Sequence, residues 1–296
     1  MALSLTNVSA SAINTELGRS STATLSWNDA DLRKLGSTGN SGQSTTLGTP
    51  VSMTALQGKA RVITSITSST FNVNYTSLSG SYIPGKTWTT VTVNSGVVVG
   101  SSSTASPAMT ISGTSGDIHE LVNNGYIVGA GGNGGYGESG SYNPPGGPGN
   151  DSGIQSQGSS GEPGGNALSI SYPVSITNNS NIWGGGGGGA GAFGGATGGK
   201  NSSVIRRGGG GGGAGAIVGS GQVNRYGNDL RGSDGTLTAG GAGYGQYSGS
   251  GGGPGEAGTQ ASEAVPRLVG GAAGYYATGS SNITWVVTGD RRGNVS

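Results

Sequence analysis

Six consecutive glycines in IWGGGGGGAGAFGG, Ile182 to Gly195, and six more in RGGGGGGAGAIVGSG, Arg207 to Gly221, limit what this chain can fold into more than any other feature. Glycine loses more conformational freedom on folding than any other residue, so such a run reads first as a flexible linker. A linker has no use for the large apolar residues Trp183, Phe193, Ile217 and Val218 that border these runs. A collagen triple helix needs Gly at every third position and abundant Pro, and the chain has 67 Gly but 10 Pro. The remaining reading is a packed bundle of extended helices with three residues per turn. Such a helix has no internal hydrogen bonds, so its N–H and C=O groups point sideways and must pair with a neighbour when buried. Only glycine lets two backbones approach that closely. The glycines then form a core, the apolar residues plug its ends or faces, and a 14-residue block spans roughly 40 Å.

Around these blocks the sequence divides into three zones. Residues 1–60 read as short helices. SWNDADLRKLG offers Ser26 or Asn28 as N-cap, Asp29 and Asp31 in the first turn, Arg33 and Lys34 in the last, and Gly36 as the stop. PVSMTALQGK repeats the scheme with Ser52 and Gly58, and INTELG is a third turn ending at Gly18. Helices this short must dock on a partner. Residues 61–120 are β-strand language, in ARVITSITSSTFNVNYTSL and KTWTTVTVNSGVVVGSSS, and predict a small β-domain or a sheet that continues into the third zone. Residues 121–296 alternate glycine blocks with polar stretches. LVNNGYIVGAGGNGG and ITNNSNIWGGGGGGAG share an Asn-Asn pair, an apolar residue and a glycine block, and SSNITWVVTG echoes the Asn-Ile-x-Trp style. The predicted fold class is mostly β and irregular: a short helical N-terminal segment, a β-rich connector, and a glycine-rich head of extended helices with end loops.

Composition excludes several functions. With no Cys and one His, disulfides, thiolate metal sites and His-dependent triads are out. A net charge of +1 removes the usual electrostatic route to nucleic acid. No apolar run is long enough to span a bilayer, and the N-terminus does not read as a signal peptide. GAGGNGG, Gly129 to Gly135, satisfies a dinucleotide fingerprint, but YGESGSYNPPGGPG after it cannot open a helix. GGATGGKN places Asn201 where a phosphate loop needs a hydroxyl. No cofactor and no metal are therefore expected. His119, beside Asp117 and Glu120, reads as an ordinary surface or capping residue.

The polar stretches carry the candidate binding residues. Tyr with Ser, Gly and Asn is the composition of adaptable binding loops, because Tyr gives contact area at low entropic cost. Tyr136, Tyr142, Tyr226, Tyr244, Tyr247, Tyr275 and Tyr276 are the loop aromatics by this reading. The receptor-contacting set is Tyr136, Tyr142, Asn143, Lys200, Arg225, Tyr226, Asp229, Arg231 and Tyr247, with Arg225 and Arg231 able to engage acidic sugars or phosphates. Two of the loop acids Glu138, Asp151, Glu162, Asp229, Asp234, Glu256 and Glu263 could instead form a hydrolytic pair.

The segments INTELGRSSTATLSWNDADLRKLGSTGNSG and TPVSMTALQGK resemble an N-terminal segment of tail and baseplate-associated proteins of tailed bacteriophages, with Gln57 where an aromatic is more usual. The glycine-rich zone resembles the distal tail-fibre adhesins of T-even-like phages. SSNITWVVTGDRRGNVS is similar to the closing segment of glycine-rich tail-tip and host-specificity proteins. The resemblance implies a polyglycine-II sandwich whose variable loops touch a bacterial surface receptor, an outer-membrane protein or a glycan. It implies a virion protein assembled in the host cytoplasm, attached to other tail proteins through residues 1–60, with no nucleic-acid partner and no membrane insertion. Monomer and homotrimer both remain open. The rival readings are a non-receptor component of the tail or baseplate and a polysaccharide depolymerase.

Overall fold

The computed structural model describes the chain except for residues 1–2, 5–7, 28, 39–52, 79, 138, 143–157, 193–202, 207, 224–229, 246 and 263–267. Its frame is a three-sided solenoid of five coils. Each coil lays one strand in each of three five-stranded parallel sheets. The first coil is β1 (Ala60–Ile66), β2 (Thr70–Phe71) and β3 (Val73–Asn74). The second is β4 (Thr87–Val93), β5 (Val98–Gly100) and β6 (Met109–Ile111). The third uses β7 (Ile118–Asn123), β8 (Tyr126–Val128) and, after a long excursion holding β9 (Ser139–Tyr142), β10 (Leu168–Ile170). The fourth uses β11 (Val174–Asn178), β12 (Asn181–Trp183) and, after an excursion holding β13 (Ser203–Arg206), β14 (Tyr275–Thr278). The fifth is β15 (Ile283–Val287), β16 (Asp290–Arg292) and β17 (Asn294–Val295).

Parallel register stacks like on like. Val91, Leu121, Ile176 and Trp285 form an inward ladder on the first sheet. Val99, Ile127, Ile182 and Arg291 form one on the second, and Val73, Met109, Leu168, Ala277 and Val295 one on the third. Through the fourth coil these ladders make a single buried core. At the fifth, the Arg291 guanidinium lies 4.6 Å from the Trp285 ring centroid and closes the end. At one corner Asn123 Nδ2 donates to Asn178 Oδ1 (2.8 Å), and Asn179 Nδ2 donates to Asn124 Oδ1 (2.8 Å). The repeated Asn-Asn pair is therefore a corner motif of successive coils. The Asn-Ile-x-Trp echo is not: Ile283 pairs with Val174 on the first sheet, whereas Ile182 lies on the second.

The continuing sheet, not a separate β-domain, is the alternative seen. A boundary at residue 120 falls inside β7, which pairs with β4 and β11. Composition shifts there because glycine-rich chain leaves the solenoid at one corner, between the second and third sheets. That corner is a single residue in the first and last coils. Asn72 (φ 50°) and Gly293 (φ 112°) adopt the left-handed backbone that so tight a turn requires. In the third and fourth coils the same corner holds residues 129–167 and 184–274.

The N-terminal zone folds as α1 (Ala10–Glu16), α2 (Ala30–Ser37) and α3 (Met53–Leu56). Ser9 caps α1, and Gly18 (φ 73°) turns the chain away after it. Asp29, not Ser26, caps α2 by accepting from the N–H groups of Asp31 and Leu32; Asn28 lies outside the described residues. An aspartate satisfies two free N–H groups and the helix dipole together. Gly36 does not stop α2, which runs on to Ser37, whereas Gly58 (φ 69°) does turn the chain after α3. The proposed Ser52 cap is outside the described residues. The partner these helices need is the solenoid wall: Leu3, Ile13, Leu17, Leu32, Leu35 and Leu56 bury against Trp88, with Ile118 at the margin.

Candidate functional site

The two excursions fold as one slab. Among the described residues it contains ten extended runs: 129–137, 158–166, 184–192, 208–216, 217–223, 230–236, 239–244, 248–253, 256–262 and 268–274. Run 184–192 shows how they hold together. The N–H groups of Gly186, Gly189 and Ala192 donate to Ala214, Gly211 and Gly208; those of Gly185, Gly188 and Gly191 to Gly165, Glu162 and Ser159; those of Gly187 and Ala190 to Glu256 and Thr259. Its carbonyls accept from runs 129–137, 248–253 and 268–274 at the same three-residue spacing. Run 208–216 likewise bonds to six neighbours. The other eight runs form a closed hydrogen-bonded ring around these two.

This explains where glycine is unbroken. A run with six backbone neighbours has no face left for a large side chain. The two six-neighbour runs hold the two six-glycine stretches, and the only side chains they carry are the methyl groups of Ala190, Ala192, Ala214 and Ala216. A Cβ on Gly188 would sit 1.8 Å from the Asn133 carbonyl oxygen, and one on Gly212 1.8 Å from that of Gly219. Ring runs keep an open face and carry side chains there, between the glycines that pack inward. In 129–137 these are Ala130, Asn133 and Tyr136. The dinucleotide-like spacing of GAGGNGG is this three-residue period.

Short polar side chains complete the ring where a backbone partner is missing. Asn133 Oδ1 accepts from Ser220 N (3.0 Å), Ser159 Oγ from Tyr136 N (2.9 Å), and Asp234 Oδ1 from Gly221 N (2.8 Å). The sequence pointed to no such scaffold role. Its signal is the placement of Asn, Asp, Ser and Thr at three-residue intervals from glycine.

The runs reverse direction at two ends. The end near the solenoid holds the turns about 216–218, 237–238 and 254–255, and is sewn on by Gly129 N to Trp183 O and Gly184 N to Arg292 O (both 2.9 Å). Trp183 seals this junction, its Nε1 donating to Asp290 and its ring under the Arg292 guanidinium. At the opposite end, bonds link Tyr136 to Ser159, Gly191 to Ser159, Ala192 to Gly208, Gly209 to Leu230, Tyr244 to Gly209, Ser262 to Tyr247 and Ala261 to Leu268. The described residues flanking segments 143–157, 193–202, 224–229 and 263–267 therefore all lie at this distal end, with the 244–248 turn. Antiparallel pairing of β9 with β13 ties the first two segments together.

Of the expected receptor-contacting residues, Tyr136 stands at the distal end and is 42 % exposed. Tyr247 is half-buried in the 244–248 turn, and Tyr142 ends β9, opposite Ser203. Arg231 begins a run nearby, where its Nε donates to Gly221 O (2.9 Å) and its guanidinium pairs with Asp234. It is engaged with the scaffold. Asn143, Lys200, Arg225, Tyr226 and Asp229 lie outside the described residues. Tyr275 and Tyr276 are not loop residues; they belong to β14. The plugs divide: Trp183 is buried, Ile217 and Val218 are exposed at the solenoid-side turn, and Phe193 is outside the described residues. Among the described residues no group of three His, Asp or Glu side chains is placed to hold a metal ion.

A family model described as phage tail fibre adhesin Gp38 matches residues 61–296, a span that begins at the first solenoid strand. Among solved structures, the chain is similar to one in the crystal structure of the gp37–gp38 adhesin tip complex of the bacteriophage S16 long tail fibre. The TM-score is 0.53 and the identity 24%, over 80% of this chain and 83% of that one. At that identity the likeness is one of fold. No curated protein matches the chain. The family match covers far more than half of the sequence, runs through both the solenoid and the slab, and so places this chain in the phage tail fibre adhesin Gp38 family.

Proposed function

We propose that this receptor-binding tail adhesin grips a bacterial surface receptor with the distal end of its glycine slab, through non-covalent contacts and without chemistry. The observation that supports this is the gathering of the segment ends around 143–157, 193–202, 224–229 and 263–267 at one end of a rigid scaffold. Binding residues belong on loops that can vary while their support stays fixed. Tyr136, Tyr142, Asn143, Lys200, Arg225, Tyr226, Asp229, Arg231 and Tyr247 are the contacts in this reading. Arg231 also bonds to the scaffold, through Gly221 and Asp234, and keeps half of its side chain exposed. The slab itself is a polyglycine-II sandwich, supported by the three-residue spacing of its donors and acceptors. The head is then the two insertions rather than all of 121–296, the solenoid is the connector, and residues 1–60 attach the molecule to other tail proteins. The similar S16 chain comes from a complex with a tail-fibre partner, which favours the same arrangement here.

The test is competition. Purified full-length chain should block phage adsorption to host cells, and replacing residues 224–229 should remove the block without changing thermal stability. If the folded chain neither binds cells nor competes, the slab is a structural part of the tail.

A further inference from the structure

His119 is the single histidine of the chain, and it lies inside the solenoid, 2 % exposed. The sequence reads it as a surface or capping residue. Its ring meets Tyr75 (centroids 5.0 Å) and Tyr172 (5.4 Å), both edge-on. Nε2 lies 3.1 Å from the Ser112 carbonyl oxygen and so carries the proton. Nδ1 has no partner among the described residues, and neither does Oγ1 of Thr89, the residue paired with His119 on β4. Space is tight: a Cβ on Gly113 would stand 2.6 Å from Nε2. On the β11 side the paired residue is Val174.

The charged groups around it offset a cation only in part. Asp117, two residues away, is committed: its carboxylate accepts from Thr87 N, Thr114 N and Tyr82 Oη. Glu120 turns its carboxylate outward to Lys34, Trp88 Nε1 and Thr90 Oγ1. Tyr75 spends its hydroxyl on the Glu120 carbonyl (2.6 Å) and on accepting from Glu120 N (3.1 Å).

We propose that His119 is an acid-sensitive latch of the solenoid: the coils close around the neutral imidazole, and its protonation loosens the wall that carries the N-terminal helices while the glycine slab stays closed. The wall is the right target. β4 and β7 flank the His119 site on the inside and present Trp88, Thr90 and Glu120 to α2 on the outside. The runs of the slab are joined mainly through backbone amides, which do not titrate here.

Burial holds the imidazole pKa below its ordinary value of 6.5, against smaller opposing pulls from Asp117 and from the backbone carbonyls of Ser112 and Ile118. A depressed histidine contributes stability that is complete above the unfolded value. That stability is lost as pH falls from about 6.5 toward the folded value, because the unfolded chain binds the proton first. No other side chain ordinarily titrates between pH 5 and 7.

Carbon-13 labelling of histidine in the full-length chain gives one ring signal. Its titration midpoint should lie below 6.5, with the Nε2–H tautomer above it. Between pH 7.5 and 5.5 the melting temperature of the solenoid should fall by about 3 °C or more, and His119→Gln should flatten that slope. Amide exchange at pH 5.5, corrected for intrinsic rates, should show protection lost around residues 75, 112–123 and 172 and in α2, and kept in runs 184–192 and 208–216. A midpoint at or above 6.5 overturns the proposal, as does equal loss of protection in the slab or an unchanged slope in the variant. Should the variant fail to fold, the wild-type midpoint and exchange pattern decide alone.

Discussion

The solenoid and the slab solve the same problem with opposite materials. In the solenoid, side chains fill the interior and the backbone pairs laterally along the sheets. In the slab the backbone is itself the interior, and every side chain larger than alanine lies at the rim. A solenoid core position asks for a volume, which several apolar residues can supply. Along the six-glycine stretches a slab core position asks for the absence of any side chain, and beyond them the central runs take nothing larger than alanine. The slab should therefore fail far more sharply on substitution.

The largest expected effect comes from that contrast. Gly188→Ala puts a methyl within 1.8 Å of a backbone carbonyl oxygen, and no side chain can swing away to relieve it. The loss should be about 4 kcal/mol or more, read as a collapse of the slab's denaturation transition and of host adsorption. Gly253→Ala is the control at the rim, where the first atom met is the Glu256 carboxylate oxygen at 2.9 Å, the tip of a flexible side chain. Similar losses at both positions would break the comparison.

In the solenoid, Ile176→Ala empties a fully buried site and should cost about 2–5 kcal/mol in chemical denaturation. Ile176→Leu should cost less than about 1.5 kcal/mol, because volume is kept. No substitution at Gly188 has such a mild counterpart. Asn123→Ala should cost about 1–3 kcal/mol, since it strips the donor from Asn178 Oδ1 and the acceptor from Gly125 N.

The same contrast explains what the sequence revealed. The slab was legible because its rule is compositional: unbroken glycine means six backbone neighbours, and glycine with a regular interruption means an open face. The strands of β1, β4 and β5 were legible from β-branched residues. The continuity of the solenoid was not. Its later strands are two to six residues long and are separated by long glycine excursions, so the ladder from Val91 through Leu121 and Ile176 to Trp285 spans nearly two hundred residues of sequence. Local periodicity carries no record of pairing at that distance. His119 misled for a related reason: its neighbours in sequence are charged, while its neighbours in space are Tyr75 and Tyr172. At the candidate site, Tyr136 was visible as a polar-flanked aromatic. The bonds of Arg231 to Gly221 and Asp234 were not visible, because those partners matter only once the runs are packed.

The smallest effect sharpens the comparison at the N-terminal edge. Asp29 caps α2 and receives the Arg19 fork through two bonds of 2.8 Å. Arg19, with the cap N–H groups behind it, holds the Asp29 carboxyl below the ordinary 3.8. On the wall beside it, burial pushes the Glu120 carboxyl up, but Lys34, Trp88 and Thr90 more than offset this and leave it below its ordinary 4.5. A depressed carboxylate contributes stability above its unfolded value and loses it as pH falls through the folded one. Docking of the helices should therefore weaken below about pH 4.5, a window separate from that of His119. Asp29→Ala should cost about 1 kcal/mol at pH 7 and less in acid, where the wild-type carboxylate is itself being protonated. Asp29→Asn keeps the cap and loses the ion pair, so it should recover part of the loss. Helix content tracked by far-ultraviolet circular dichroism from pH 7 to pH 3 reads this change. The slab, whose runs pair through amides that do not ionise in this range, should stay closed across the same titration.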